Sequence, residues 1–195
     1  PGDALANWPA VSKTLSLIRK ADKDVFFCLS TNGLYLPRYA KEIAELGVDY
    51  VTVTVNALTS NTGAHIYSFV NDAGKKYVGQ EAAELLLNRQ LEGLQLLASY
   101  GVKVKINTVA IPGVNMEEIP AIARRMAVLG CKLHNILPML PVEGTAFAHL
   151  AEPEAQEIAA LREVCQQWMP QMRHCSRCRA DAVGTLAAAG CGEEQ

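Results

Sequence analysis

The chain has 195 residues, half of them hydrophobic, and a formal net charge of −2. That is enough apolar material for one domain with a real core, and the near-neutral charge excludes bulk binding to nucleic acid or a membrane surface. No apolar run reaches the roughly 18 residues of a membrane span, and no charged start followed by an apolar stretch marks a secretory signal.

The chain opens on "PGDALANWP", which reads as a loop, and its first residue is Pro1 rather than Met. The expectation is a natural start further upstream. "DVFFCLSTNG" then reads as a buried strand ending in Ser30, Thr31, Asn32 and Gly33. "LPRYAKEIAELG" carries Ala40, Ile43 and Leu46 at helical spacing and stops at Gly47, a residue suited to a helix end. "VDYVTVTVNA" is a second, β-branched strand. A polar, irregular insertion is expected from about Leu58 to Gly79, followed by a long helix with Ala83, Leu87, Leu91, Leu94 and Leu97 on one face.

The alternation continues with strand "VKVKINTVAIPG", helix "MEEIPAIARRMAVLG" with Ile119, Ile122, Met126 and Leu129 inward, and strand "KLHNILPML". The last helix has Pro153 at a favoured early position, with Ile158, Leu161, Cys165 and Trp168 on one stripe. Alternating strands and helices predict a parallel α/β sheet. Each strand ends in polar or turn residues, and active sites of α/β barrels and open sheets form at those carboxyl ends. Four strands are too few to close a barrel. The fold expectation is therefore a partial (β/α) TIM-like barrel with its N-terminal strands missing. Residues 1–184 form its core, with the C-x-x-C segment included, and 185–195 form a tail or linker.

Of six cysteines, Cys28, Cys131, Cys165, Cys175, Cys178 and Cys191, a chain with this much core needs none as staples, so cytosolic thiols are expected. Cys175 and Cys178 form a C-x-x-C within "RHCSRCRADAVG". Haem attachment needs His directly after the second cysteine, and Arg179 stands there. A thioredoxin-like pair opens a helix after a strand, whereas this pair follows a helix. A zinc site needs two more ligands; no second pair follows, although His174 or an upstream cysteine could contribute. An iron–sulfur cluster is anionic and would be stabilised by Arg173, Arg177 and Arg179. Two surface cysteines in a basic loop remain the plain alternative.

Cys28 reads on its own as a small hydrophobe in a buried strand, close to any site at the barrel mouth. Cys131 and Cys165 read as structural, and His134 as a satisfied core histidine. Asn107 is an amide in an apolar strand, costly to bury unless hydrogen-bonded, so it supports the barrel or binds a ligand. No Gly-x-Gly-x-x-Gly, P-loop, Gly-x-Ser-x-Gly or paired-carboxylate signature is present.

Taken together, "PGDALANW", "CLSTNGLYLP", "DYVTVTVNA", "GAHIYSFV", "LLLNRQLEGLQLLASYGVKVKINTVAIPGVN", "LHNILPMLP" and "MRHCSRCRADAVG" closely resemble the NifB family. Its members are radical S-adenosylmethionine (SAM) enzymes of nitrogenase cofactor biosynthesis. The resemblance implies a radical SAM barrel with 4Fe–4S clusters and SAM as cofactors. It implies fusion of two 4Fe–4S clusters, with a carbide from a SAM methyl group, into an 8Fe–9S–C precursor. Carried over by motif, Cys175 and Cys178 would ligate one substrate cluster and Cys28 the other. Gly2 and Asp3 match the end of the family's glycine-rich turn against the methionine part of SAM, and Thr31, Asn32, Asn56 and Asn107 would be polar contacts.

The family's C-x₃-C-x₂-C is absent from the sequence, so these residues alone are expected to be inactive. By resemblance, the partners are iron–sulfur cluster donors and carriers of the cofactor precursor, with neither nucleic acid nor membrane, in a reducing cytoplasm. Two other readings of the cysteines are another radical SAM maturase with an auxiliary cluster and a non-catalytic iron–sulfur carrier. A third is a zinc-stapled domain.

Overall fold

The structure is a computed structural model and describes residues 2–172. Asp3 starts the first element: its side chain accepts from the Leu5 N–H and caps a 3-10 turn at Ala4–Asn7. Pro9 then sits at a favoured position near the start of helix α1 (Trp8–Ala21). The opening segment, expected as a loop, is thus helical. Its apolar residues Leu5 and Trp8 are buried, and the Trp8 indole donates to Glu42 Oε2 at 2.7 Å.

Strand β1 (Cys28–Thr31) leads into α2 (Leu36–Glu45), and β2 (Tyr50–Thr54) follows. The stretch expected to be irregular holds a short helix, α3 (Ser60–Ile66), and an antiparallel hairpin of β3 (Val70–Asp72) and β4 (Lys75–Tyr77). These pieces are too short to show a period in the sequence. Thr59 caps α3 by accepting from the Thr62 N–H. Then come α4 (Gly79–Ser99), β5 (Lys103–Ala110), α5 (Ile119–Val128), β6 (Leu133–Pro138) and α6 (Ala155–Gln166).

The buried stripe of α4 is Ala82, Ala83, Leu86, Gln90, Gly93, Leu94 and Leu97, so Leu87 and Leu91 lie beside it rather than on it. Gln90 and Gly93 displace the expected apolar positions. Gly93 brings α4 against α2, since a Cβ there would collide with Leu36 Cβ. Pro153 precedes α6 rather than lying within it. Glu154 is the cap, in a reciprocal capping box with Glu157.

The four main strands run parallel in the order β1-β2-β5-β6. The expected parallel α/β architecture is borne out, and sequential parallel strands joined by helices are the arrangement of an arc of a (β/α) barrel. Alternation along the strands separates two faces. Leu29, Val51, Val53, Val104 and Ile106 pack with Leu36, Ala40, Ile43, Leu94 and Leu97 of the helices. Ala110 and Ile136 pack with Ile119, Ala123, Ile158 and Cys165. His134 points to the same helix-facing side, fully buried, with Nε2 3.0 Å from Thr108 Oγ1. Burial disfavours its cation and pushes its pKa down to about 4.

Candidate functional site

The other face of the sheet is polar and more open. Register places Cys28, Tyr50 and Lys103 in one row, Ser30, Thr52 and Lys105 in the next, and Thr54, Asn107 and Asn135 in the row at the carboxyl ends. Cys28 and Ser30 are exposed, and Thr54, Lys105 and Asn107 are half-buried. Cys28 is therefore not the core hydrophobe that its strand suggested, because the alternation turns it away from the helices. It opens β1 instead of closing it, with Sγ 3.9 Å from Thr52 Oγ1. Cys131 and Cys165 are buried as expected, and burial raises their thiols to about 12 and about 11.

The expected SAM contacts divide into groups that face out and groups engaged inside the protein. Asp3 is spent internally: its carboxylate accepts from Thr31 Oγ1 at 2.9 Å and from the Asn32 N–H at 2.6 Å, besides capping the first turn. Thr31 is buried, and its hydroxyl also accepts from the Gly33 N–H. Asn56 Oδ1 accepts from the Val109 N–H at 2.9 Å. The Tyr67 phenol also bonds Asn56, and burial pushes its pKa to about 12. Gly2 and Asn32 are exposed, although Asn32 Oδ1 accepts from the Leu34 N–H in a local turn. Asn107 Oδ1 lies 3.4 Å from Asn135 Nδ2. Asn135 Oδ1 is buried without a partner among the described residues. Strand alternation turns His134 toward the helices, so its neighbour Asn135 is the one on the open face.

Gln90 and Asn115 were not anticipated. Both are almost fully buried, and both bond main-chain groups at the strand ends. The available signal for Gln90 was its spacing of four from both Leu86 and Leu94, which puts an amide on the inner stripe. Cys175, Cys178 and His174, with Arg173, Arg177 and Arg179, lie outside the described residues.

A polar row at the carboxyl ends of parallel strands, with an exposed thiol lower on the same face, is the geometry of a cofactor enzyme built on a barrel arc. The model of the Radical SAM superfamily matches residues 1–126, and the chain belongs to that superfamily. It is 46% identical over 190 residues to the FeMo cofactor biosynthesis protein NifB of Klebsiella pneumoniae and 45% identical over 190 residues to that of Bradyrhizobium diazoefficiens. Those matches cover 95% of this chain and 41% and 38% of the relatives, so the chain spans about two fifths of their length. Within the superfamily it is a member of the NifB family. A solved radical SAM methyltransferase, TsrM from Kitasatospora setae with cobalamin and a [4Fe-4S] cluster bound, matches with a TM-score of 0.48 at 14% identity. That match covers 68% of this chain and 25% of TsrM, too slight a likeness to carry the fold.

The superfamily's cofactors are SAM and a 4Fe–4S cluster. The open face fits SAM: Asn135 Oδ1 is a buried acceptor without a partner among the described residues, beside Asn107, suited to the N–H and O–H donors of an amino acid or nucleoside. Toward a cluster, the described residues offer Cys28 alone as an exposed thiol. Among them, no three His, Cys, Asp or Glu side chains converge on a metal position.

Proposed function

We propose that the full-length protein is the radical SAM enzyme that builds the 8Fe–9S–C precursor of the iron–molybdenum cofactor from two 4Fe–4S clusters. The observation that carries this reading, with family membership behind it, is the outward Cys28 thiol on the face that also holds Asn107 and Asn135. As a thiolate, Cys28 ligates one substrate cluster; Cys175 and Cys178 ligate the other.

SAM, when bound with its reducing 4Fe–4S cluster, supplies a methyl carbon for the carbide and a 5′-deoxyadenosyl radical that removes hydrogen from it. The residues of this chain bind and orient. Asn107 and Asn135 present amide groups at the strand ends, and Asp3 fixes the Thr31–Asn32 corner through its carboxylate. Lys103 and Lys105 place two ammonium groups on the face of Cys28, where they favour an anionic cluster. Partners that deliver clusters and accept the precursor follow from this reading, as does a reducing cytoplasm.

The test compares the full-length protein, its Cys28→Ala variant and the 195-residue chain after anaerobic reconstitution with iron and sulfide. The variant is expected to lose the iron of one cluster and the precursor product. The 195-residue chain is expected to release no 5′-deoxyadenosine from SAM with dithionite, because C-x₃-C-x₂-C is not in it. Full iron content and undiminished product in Cys28→Ala would overturn the ligand assignment, and turnover by the short chain would overturn the second expectation.

A further inference from the structure

Backbone ladders end before the sheet's polar edge does. Pairing of β1 with β2 stops at Thr31↔Val53, and pairing of β2 with β5 stops at Thr54↔Asn107. Past those points the strands need other partners for their carbonyls. Two buried carboxamides supply them. Gln90, 2% exposed on the inner stripe of α4, donates through Nε2 to Asn32 O at 2.6 Å and to Thr54 O at 2.9 Å. Asn115, 1% exposed, donates through Nδ2 to Asn56 O at 2.9 Å and to Val109 O at 2.8 Å, while its Oδ1 accepts from the Ile111 N–H at 2.8 Å. The first amide spans β1 to β2, and the second spans β2 to β5.

Water could satisfy carbonyls at open strand ends, but water holds no fixed distance between them. A carboxamide with both N–H groups engaged does, since its two hydrogens leave one nitrogen at a set angle. The turn is fitted to that amide. Gly33 has φ +89°, and a Cβ there would lie 2.8 Å from Gln90 Cγ. From the opposite side, Asp3 holds the Thr31 hydroxyl and the Asn32 N–H.

We propose that Gln90 and Asn115 are positioning residues for SAM, two braces that set the spacing of three neighbouring strand ends and so of Asn32, Asn56 and Asn107. The inference rests on the reading that SAM lies across those ends. Neither side chain touches SAM; each acts through the main chain.

The experiment measures SAM binding to the reconstituted full-length protein by equilibrium dialysis well below melting, with amide hydrogen exchange of residues 31–34. The variants are Gln90→Met and Asn115→Leu. The control is Leu97→Ala, in the buried core near the far end of α4. Each brace variant is expected to weaken SAM binding about tenfold and to speed exchange in the turn, as for a misplaced binding edge. Leu97→Ala is expected to lower the melting temperature without changing the dissociation constant. Gln90→Glu keeps the volume and can donate one bond while protonated, so it falls between and serves if Gln90→Met does not fold.

Unchanged binding in the brace variants, or weakening no greater than in Leu97→Ala at equal loss of melting temperature, overturns the proposal. Asn107→Ala separates the two claims. If it weakens binding while the brace variants do not, only the braces fail. If all of them leave binding unchanged, the placement of SAM fails too.

Discussion

The two faces of the sheet are built from the same strands, residue by residue in turn, yet obey different rules. Toward the helices, Val51, Val53, Ile106 and Ile136 are fully buried, and Thr108 Oγ1 joins His134 Nε2 to Val55 O, with His134 Nδ1 buried without a partner among the described residues. On the other side Cys28, Ser30, Lys105 and Asn107 keep exposure, and Asn135 keeps an oxygen unpartnered among the described residues. Stability is thus concentrated on one face and chemistry left available on the other.

The contrast is sharpest in the thiols. At pH 8, brief iodoacetamide treatment of metal-free full-length protein is expected to alkylate Cys28 at least about a hundredfold faster than Cys131 or Cys165, because only thiolates react and burial keeps those two protonated. Peptide mass spectrometry reads this, and comparable rates would mean the faces are not separated. Next in size, Ile106→Ala should cost roughly 3 kcal/mol as a buried cavity, whereas Lys105→Met should stay within about 0.5 kcal/mol; denaturant melts compare them.

His134 gives a pH test of the closed face. Its folded pKa of about 4 lies below the unfolded 6.5, so its contribution is present above pH 6.5 and is lost as pH falls toward 4. Between pH 7 and 5 this amounts to about 2 kcal/mol, and His134→Gln should remove that part of the slope. The smallest effect belongs to the solvent. Lys41→Ala, breaking an exposed pair with Glu45 at 3.6 Å, should change stability by no more than about 0.5 kcal/mol.

Much of this division was legible in the sequence. Strand "VKVKINTV" alternates so regularly that Asn107 had to fall opposite Ile106, and the four parallel strands followed from the β-branched runs. The burial of His134 was legible in its apolar strand, and that of Cys165 in its helical stripe with Ile158 and Leu161. Cys28 was not, since "VFFCL" reads as uniformly apolar and only pairing shows which side Leu29 takes. The opening "PGDALANW" hid a helix because its start depends on Asp3, whose carboxylate also reaches Thr31, 28 positions away. Gln90 was hidden because a glutamine in an amphipathic helix ordinarily faces water; its carbonyl partners lie 58 and 36 positions earlier.

Those separations have a consequence for the order in which the molecule assembles. The Thr31–Leu34 corner has two local bonds, from the Gly33 N–H to Thr31 Oγ1 and from the Leu34 N–H to Asn32 Oδ1, but its anchors to the rest of the fold are distant: Asp3 precedes it by 29 positions at Asn32, and Gln90 follows by 58. Closing such loops costs entropy before the contacts return anything. On a ribosome, Asp3 is already at hand when the corner emerges, while Gln90 has yet to be made. The corner is born half-held, and it settles only after α4 has docked.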